Sequence, residues 1–491
     1  MGTISSKYIF NFNRQSFLFA LVFATIPLFL QWPLFWDNLP YVGGIADFFY
    51  EHGISASVFH LPKDWDVAHS PVFAALLAIG WKLFGKSLLI AYWVQLPFVF
   101  ITLFCAFELI GIITTNRWSK WVFGILLLSD TQFFTQLNQL GYEWIMLAPF
   151  LMSLLMLVRN YKSGTIEGGV WNRYGIWIWL LPFMQLRGVN MVVMLVGISF
   201  ALTSFETGFR RALQQFFKND IWLLFGTGLI TFLWLLVHKI MCGYWTNASS
   251  NAWSGEHLVP SSFFGFWYRI LLSIWRLFDY GFVSYLALIP LLSVWVYMAR
   301  KEFNRIRNAI LVFVLAFGLL ALQFSVFDIP VCHRYFLVLH ILLPIGFVWL
   351  LAQFGTVKAL VLTVVCAFGV GSGYFWEYPE RMANGREVQA SSMCYFSLRD
   401  SVEKFMQAKN ISNNEVVSHF PICVPNDWVK LTKTNQDALC GDIDTAKRFH
   451  YIIYSNFSNG FTDAEKLQIS KMDTVRFWKN GPIHLMLSRC P

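Results

Sequence analysis

The chain has 491 residues, 56% of them hydrophobic and only 13% charged, with 37 Lys and Arg against 28 Asp and Glu. Soluble domains carry about 25% charged residues, so this composition excludes an ordinary water-soluble globule and points to a polytopic membrane protein. The +9 net charge does not indicate nucleic acid, because Lys and Arg fall in short loops between apolar runs, as the positive-inside rule expects.

The N-terminal "MGTISSKYIFNFNRQ" leads into a long apolar run with no small-residue cleavage site, which predicts an uncleaved first span over 17–36. Further spans are predicted at 87–113, 119–137, 143–158, 175–186, 189–204, 221–239, 281–298, 308–327, 336–352 and 358–376, about eleven in all by the length a bilayer demands. Two apolar stretches remain, 71–84 and 263–278. If neither crosses, the basic loops at 116–120, 159–164, 209–218 and 298–307 all fall on one side, the cytoplasmic one. Both stretches are therefore expected to lie along the outer surface. Two long outer loops result, 37–86 and 240–280, with short ones at 138–142 and 328–335. The fold class expected for 1–376 is an all-α polytopic membrane domain.

After residue 377 the chain turns polar. "EVVSHFPICV" and "RFHYIIYSN" read as strands and "DSVEKFMQAKN" as an amphipathic helix, so 377–491 is expected to be a small exoplasmic α/β domain. It holds Cys394, Cys423, Cys440 and Cys490, an even number that outside the cell suggests up to two disulfides of open connectivity. The N-x-S/T sequons at Asn247, Asn410 and Asn456 all fall outside in this topology.

Ionisable residues at the predicted outer boundary stand out, since burying them is costly unless they are paired or functional. Asp37 follows Trp36 at the end of the first span, and Tyr41 comes shortly after. Asp64, Asp66 and His69 precede the short apolar stretch "SPVFAALLAIGWKLFG". Glu143 opens a span behind the polar run "SDTQFFTQLNQLGY", where Gln136 and its neighbouring amides suit a carbohydrate. Arg187 sits in an outer hairpin against the charge trend, and His333-Arg334-Tyr335 opens a late span. The long outer loop adds His257 and Arg269, with Arg276 one helical face along from Arg269. His60, Asp64, Asp66 and His69 match no zinc signature. No P-loop, dinucleotide glycine motif or G-x-S-x-G occurs.

The order Asp37, Tyr41, Ala46, Gly53, then His69-Ser70-Pro71 opening an apolar helix that ends in "LFG", resembles the first exoplasmic loop of the GT-C membrane glycosyltransferases. The nearest branch is similar to the protein O-mannosyltransferases and the lipid A aminoarabinose transferases. That family has Asp-Glu where this chain has Asp37-Asn38, and Pro-Pro where it has Ser70-Pro71. The resemblance covers most of 17–240, and Ser129-Asp130 with Glu143 stand near the family's Ser-Pro and second acid. It implies transfer of a sugar from a polyprenyl-phosphate donor to a hydroxyl on a protein, lipid or glycan. Inversion would proceed with Asp37 as general base and Glu143 as a second catalytic acid. Tyr41, Asp66, His69, Gln136, Arg187, His257, Arg269, His333, Arg334 and Tyr335 would bind sugar or lipid phosphate. The implied location is a bacterial inner membrane or its equivalent, with lipids as partners. No cofactor is firmly implied, although some GT-C enzymes use a divalent ion with paired acids. The alternatives are a transporter or flippase of a lipid-linked precursor, which should show repeats and deep charges, and a scaffold presenting the tail domain.

Overall fold

The computed structural model describes residues 13–35, 38–54, 60–63, 65–162, 170–246, 262–300, 313–322, 325, 331–377, 389–390, 392–419, 422, 431, 439–440, 449–457 and 461–490. Helix α1 (Arg14–Leu30) is capped by Asn13, whose side chain accepts from the Gln15 and Ser16 amides. Its buried residues, Ser16, Ala20, Phe23, Ala24 and Pro27, form a helical stripe of mostly small side chains, the kind that lets helices approach closely in a membrane. Leu18, Val22 and Phe29 on the other side are exposed, as lipid-facing residues are. The predicted span ran to 36, but the helix stops at Leu30. Gln31 is left-handed with φ 43, and Pro33 disfavours helix at the residue before it.

The stripe packs on α4 (Leu88–Ile113), which packs in turn on α7 (Tyr142–Lys162). The first loop folds as a π-helical turn (Leu39–Gly44), α2 (Ile45–His52) and α3 (Val72–Phe84). At 13 residues, α3 rises about 20 Å, too little for a bilayer core of about 30 Å. The predicted span 119–137 is broken into α5 (Ser119–Ser129) and α6 (Thr131–Leu137). Asp130 makes the break, its carboxylate accepting from the Gln132 and Phe133 amides.

Then follow α8 (Val170–Met184), α9 (Gly188–Thr207), α10 (Phe209–Gln215) and, through a π-helical turn, α11 (Ile221–Cys242). After these come α12 (Phe263–Phe278), α13 (Val283–Arg300), α14 (Phe313–Leu322), α15 (Leu337–Leu351) with a 3₁₀ turn before it, and α16 (Thr356–Gly371). Helices α12 and α13 meet at 80°, so α12 does not continue the line of its neighbour. Among the described residues six helices are long and apolar enough to cross a membrane, or seven if the bent pair is one span. The larger number read from sequence includes α1, α5 and α14, which are apolar but short.

The C-terminal domain carries a five-stranded sheet in the order β2-β1-β3-β5-β4. Its strands are β1 (Val416–Ser418), β2 (Leu439–Cys440), β3 (Tyr451–Ser455), β4 (Asp473–Asn480) and β5 (Ile483–Arg489). β1 pairs in parallel with β2 and β3, while β3–β5 and β5–β4 are antiparallel. Alternate residues of β3 face opposite ways, as in any strand. Ile453 joins α17 (Ser392–Ala408) on one face, and Ile452 and Tyr454 join α18 (Asp463–Ile469) on the other. The α17 face continues into the first loop in one apolar core with Phe35, Phe49, Phe73 and Trp81. Phe35 stacks on Phe457 with ring centroids 5.0 Å apart. The tail domain therefore sits on the first loop and marks one end of the bundle.

Of the predicted disulfides, a Cys394–Cys490 pairing is corrected here: among the described residues both are free thiols, Cys394 packed into the α17 face and Cys490 into the opposite face of the sheet. Cys423 and the side chain of Cys440 lie outside the described residues. Burial raises both described thiols above their ordinary pKa, which slows alkylation in the folded protein. Alkylation after denaturation without reductant, read by mass spectrometry, is expected to label both in full. Failure to label either one would mean that it is bonded.

Candidate active site

The turn between α6 and α7 is built to hold one acid. Gln95 of α4 donates from Nε2 to the Gln139 carbonyl at 3.1 Å and accepts from the Gly141 amide at 3.0 Å. Trp144 Nε1 donates to the Gln136 carbonyl at 2.9 Å. Gly141 lets the Glu143 carboxylate close on the turn: a Cβ there would lie 2.6 Å from Glu143 Oε2 and 3.5 Å from Asn38 Oδ1, so Glu143 would have to shift. Glu143 thus stands in the first turn of α7, buried, beside the residue that follows Asp37. Asp37 itself lies outside the described residues, as does His257.

Two cations meet this acid. Arg187 caps α9 at a hairpin so tight that a Cβ on Gly188 would sit 2.0 Å from the Leu181 carbonyl oxygen. Its Nη2 lies 3.2 Å from Glu143 Oε1, and Arg334 Nε lies 3.8 Å from the same oxygen. Tyr335 closes the group, with the Arg187 guanidinium 4.0 Å and that of Arg334 5.3 Å from its ring centroid. Among the described residues, one carboxylate faces two guanidiniums at this corner. Arg187 Nη1 is buried and has no hydrogen-bond acceptor among the described residues. A buried donor without an acceptor costs about 1–3 kcal/mol, so this corner is arranged for an anion.

The first loop supplies a second polar group. Tyr41, Asp66, His69 and Tyr142 line one narrow cleft, and the Tyr142 hydroxyl donates to the Tyr41 carbonyl. Asp66 is clamped by α11: His238 Nε2 lies 2.9 Å from Oδ2, and the Tyr244 hydroxyl donates to Oδ2 at 2.8 Å. The Ala68 amide donates to Oδ1. Burial alone would raise the Asp66 carboxyl, but His238, the Ala68 amide and Tyr244 together hold it below its ordinary 3.8. Among the described residues Asp66, His238 and Cys242 are the one group whose donor atoms lie near enough, within 4.8 Å, to share a metal ion. None of the zinc-type spacing tested in the sequence included α11.

A group with a lowered folded-state pKa stabilises the protein above its unfolded value and loses that contribution as the pH falls through the folded one. The Asp66 clamp is therefore expected to persist down to pH near 3.8 and to release below it. Asp66→Ala, which strands three donors, is expected to cost about 2–4 kcal/mol at neutral pH. Melting curves between pH 3 and 6 check both, and Asp66→Asn should show no such acid step.

The remaining predicted residues fall elsewhere. Gln136 is buried, and its Nε2 donates to Gln139 Oε1 within the turn that supports Glu143. His333 Nε2 is spent on Asp279 Oδ2 at 2.7 Å and so is not offered to a phosphate. Arg276 joins that pair, 3.2 Å from the same oxygen. Arg269 is half-buried on α12. Asp130 pairs with His340 Nδ1 at 2.6 Å. His238, Asp279 and His340 escaped the sequence reading because each sits inside or at the edge of an apolar run, and only the fold supplies its partner.

No family model matches the chain, and no curated protein matches it in sequence. Solved structures do match in fold. ArnT from Cupriavidus metallidurans bound to undecaprenyl phosphate superposes with a TM-score of 0.51 at 10% identity, over 96% of this chain and 97% of that one. The same protein in the apo state gives 0.49 at 11% identity over equal shares. At that identity the likeness is one of architecture: the chain shares the overall fold of the solved ArnT structure.

Proposed function

We propose that the chain transfers a sugar from a polyprenyl-phosphate donor to a hydroxyl of a protein, lipid or glycan at the exoplasmic face, with inversion at the anomeric carbon. The observation that carries this reading is the Glu143–Arg187–Arg334 group, in which the buried Arg187 Nη1 has no acceptor among the described residues. A lipid phosphate gains charge as the glycosidic bond breaks, and guanidinium groups fixed in advance stabilise that charge without a metal. Tyr335, stacked under both cations, holds their planes. Asp37 takes the acceptor proton as general base, and Glu143 keeps the two guanidiniums in place. Tyr41, Asp66, His69 and Tyr142, which line one narrow cleft, are the residues assigned to meet sugar or acceptor in this reading.

Charge supports this orientation. Arg159 with Glu108, and Lys120 with Ser16, close the end of the bundle opposite the tail domain, and basic residues favour the cytoplasm. The undecaprenyl phosphate bound by ArnT supports a C55-type donor. Purified protein incubated with a panel of undecaprenyl-phosphate sugars and a hydroxyl acceptor is expected to transfer at least one of them. Wild-type protein that neither transfers any nor binds undecaprenyl phosphate would refute the reading.

A further inference from the structure

Two buried histidine–aspartate pairs sit seven residues apart along one stretch of chain, and the phosphate-site residues Arg334 and Tyr335 lie between them. His333 pairs with Asp279, at the elbow between α12 and α13. His340, one helical repeat further along α15, pairs with Asp130. All four side chains are 5% exposed or less, so the pairs are not incidental surface contacts. The first is braced from outside, where Arg276 donates to the Val331 carbonyl and to Asp279, and the Tyr280 ring meets the His333 ring edge-on. The second is braced by Phe282, whose ring centroid lies 4.0 Å from that of His340.

The second pair joins the two halves of the site. Asp130 gives one oxygen to His340 and the other to the first amides of α6. α6 carries Gln136, whose carbonyl anchors Trp144 of α7 beside Glu143. The element bearing Arg334 and the element supporting Glu143 are thus tied through one carboxylate.

We infer that His333–Asp279 and His340–Asp130 are positioning pairs that fix the start of α15 so that Arg334 and Tyr335 meet Glu143 and Arg187. This inference rests on the phosphate-site reading of that group. Neither histidine touches the donor. Each acts through Arg334, and that dependence gives a signature which a purely structural role lacks, since effects routed through one residue do not add.

The test uses full-length protein and undecaprenyl phosphate as the probe. His333→Leu and His340→Leu remove the ring donors. His333→Gln and His340→Asn keep an N–H at the position of the bonded ring nitrogen. The leucine variants are expected to bind the probe about tenfold more weakly than wild type, and the amide variants within about twofold. Adding Arg334→Ala to either leucine variant is expected to cost little more, whereas in wild type it costs about tenfold. Full additivity, or leucine variants that bind like wild type, would overturn the inference. If wild type itself binds no probe, the transferase reading fails and positioning is judged on structure alone. Cryo-EM of His333→Leu should then show Arg334 Nε displaced from Glu143, and an unchanged separation would overturn it.

Discussion

Asp37→Asn is expected to lower the rate of sugar transfer by roughly 10²- to 10⁴-fold and to leave undecaprenyl-phosphate binding within about twofold of wild type. The substitution keeps shape and removes the proton acceptor. Two acids compete for the base role, and the contacts of Glu143 bear on the choice. Glu143 Oε1 is shared between Arg187 and Arg334, and Oε2 lies against Gly141 near the Asn38 side chain. That carboxylate is engaged by cations, which suits it to hold them. Asp37 is the remaining acid of the pair by sequence, adjacent to the buried Asn38. The two roles predict opposite kinetic signatures. Asp37→Asn should act on kcat with the donor KM unchanged, whereas Glu143→Gln should act mainly on the donor KM, because it frees the guanidiniums it arranged. Steady-state kinetics on both variants decide it, and the reverse pattern would exchange the assignments.

Much of this arrangement was legible in the chain before any fold was known. Composition and loop charge gave a polytopic membrane domain with a polar tail, and the short length of 71–84 marked α3 as no ordinary span. Glu143, Arg187, Arg334 and Tyr335 were each singled out by a charge or ring where lipid-facing residues should stand, and the fold brings all four together. What the sequence hid was pairing. His238 and Asp66 are 172 residues apart, and His340 and Asp130 are 210 apart. Without the fold, a lone histidine in an apolar helix looks like a packing residue. Asn-Gly flanked by apolar alternation is a strong hairpin signal, and Asn480-Gly481 does join β4 to β5, but the segment was not predicted as strands. A Cys394–Cys490 disulfide was not excluded by the sequence because cysteine count says nothing about which face of a sheet each occupies.

Arg187→Ala is expected to lower kcat/KM for the polyprenyl-phosphate donor by about 10²- to 10³-fold, the 2.7–4 kcal/mol scale of losing one fixed donor to developing charge. It removes the N–H that has no acceptor in the described structure and the nearer of the two cations on Glu143. It also leaves the buried Glu143 with Arg334 at 3.8 Å as its remaining guanidinium, and stripping a buried charge of its partner is destabilising in its own right. A simple loss of activity would therefore confuse folding with chemistry. The double variant Arg187→Ala/Glu143→Gln separates them, because it removes the stranded charge and should recover much of the melting temperature without recovering turnover. Arg187→Lys completes the series. A lysine keeps the charge but loses both the planar fork and the face that stacks 4.0 Å from the Tyr335 centroid. Its donor kcat/KM is expected to fall between wild type and alanine. Should the double variant regain activity together with stability, Arg187 would be a partner for Glu143 and nothing more, and the lipid phosphate would have to be bound elsewhere.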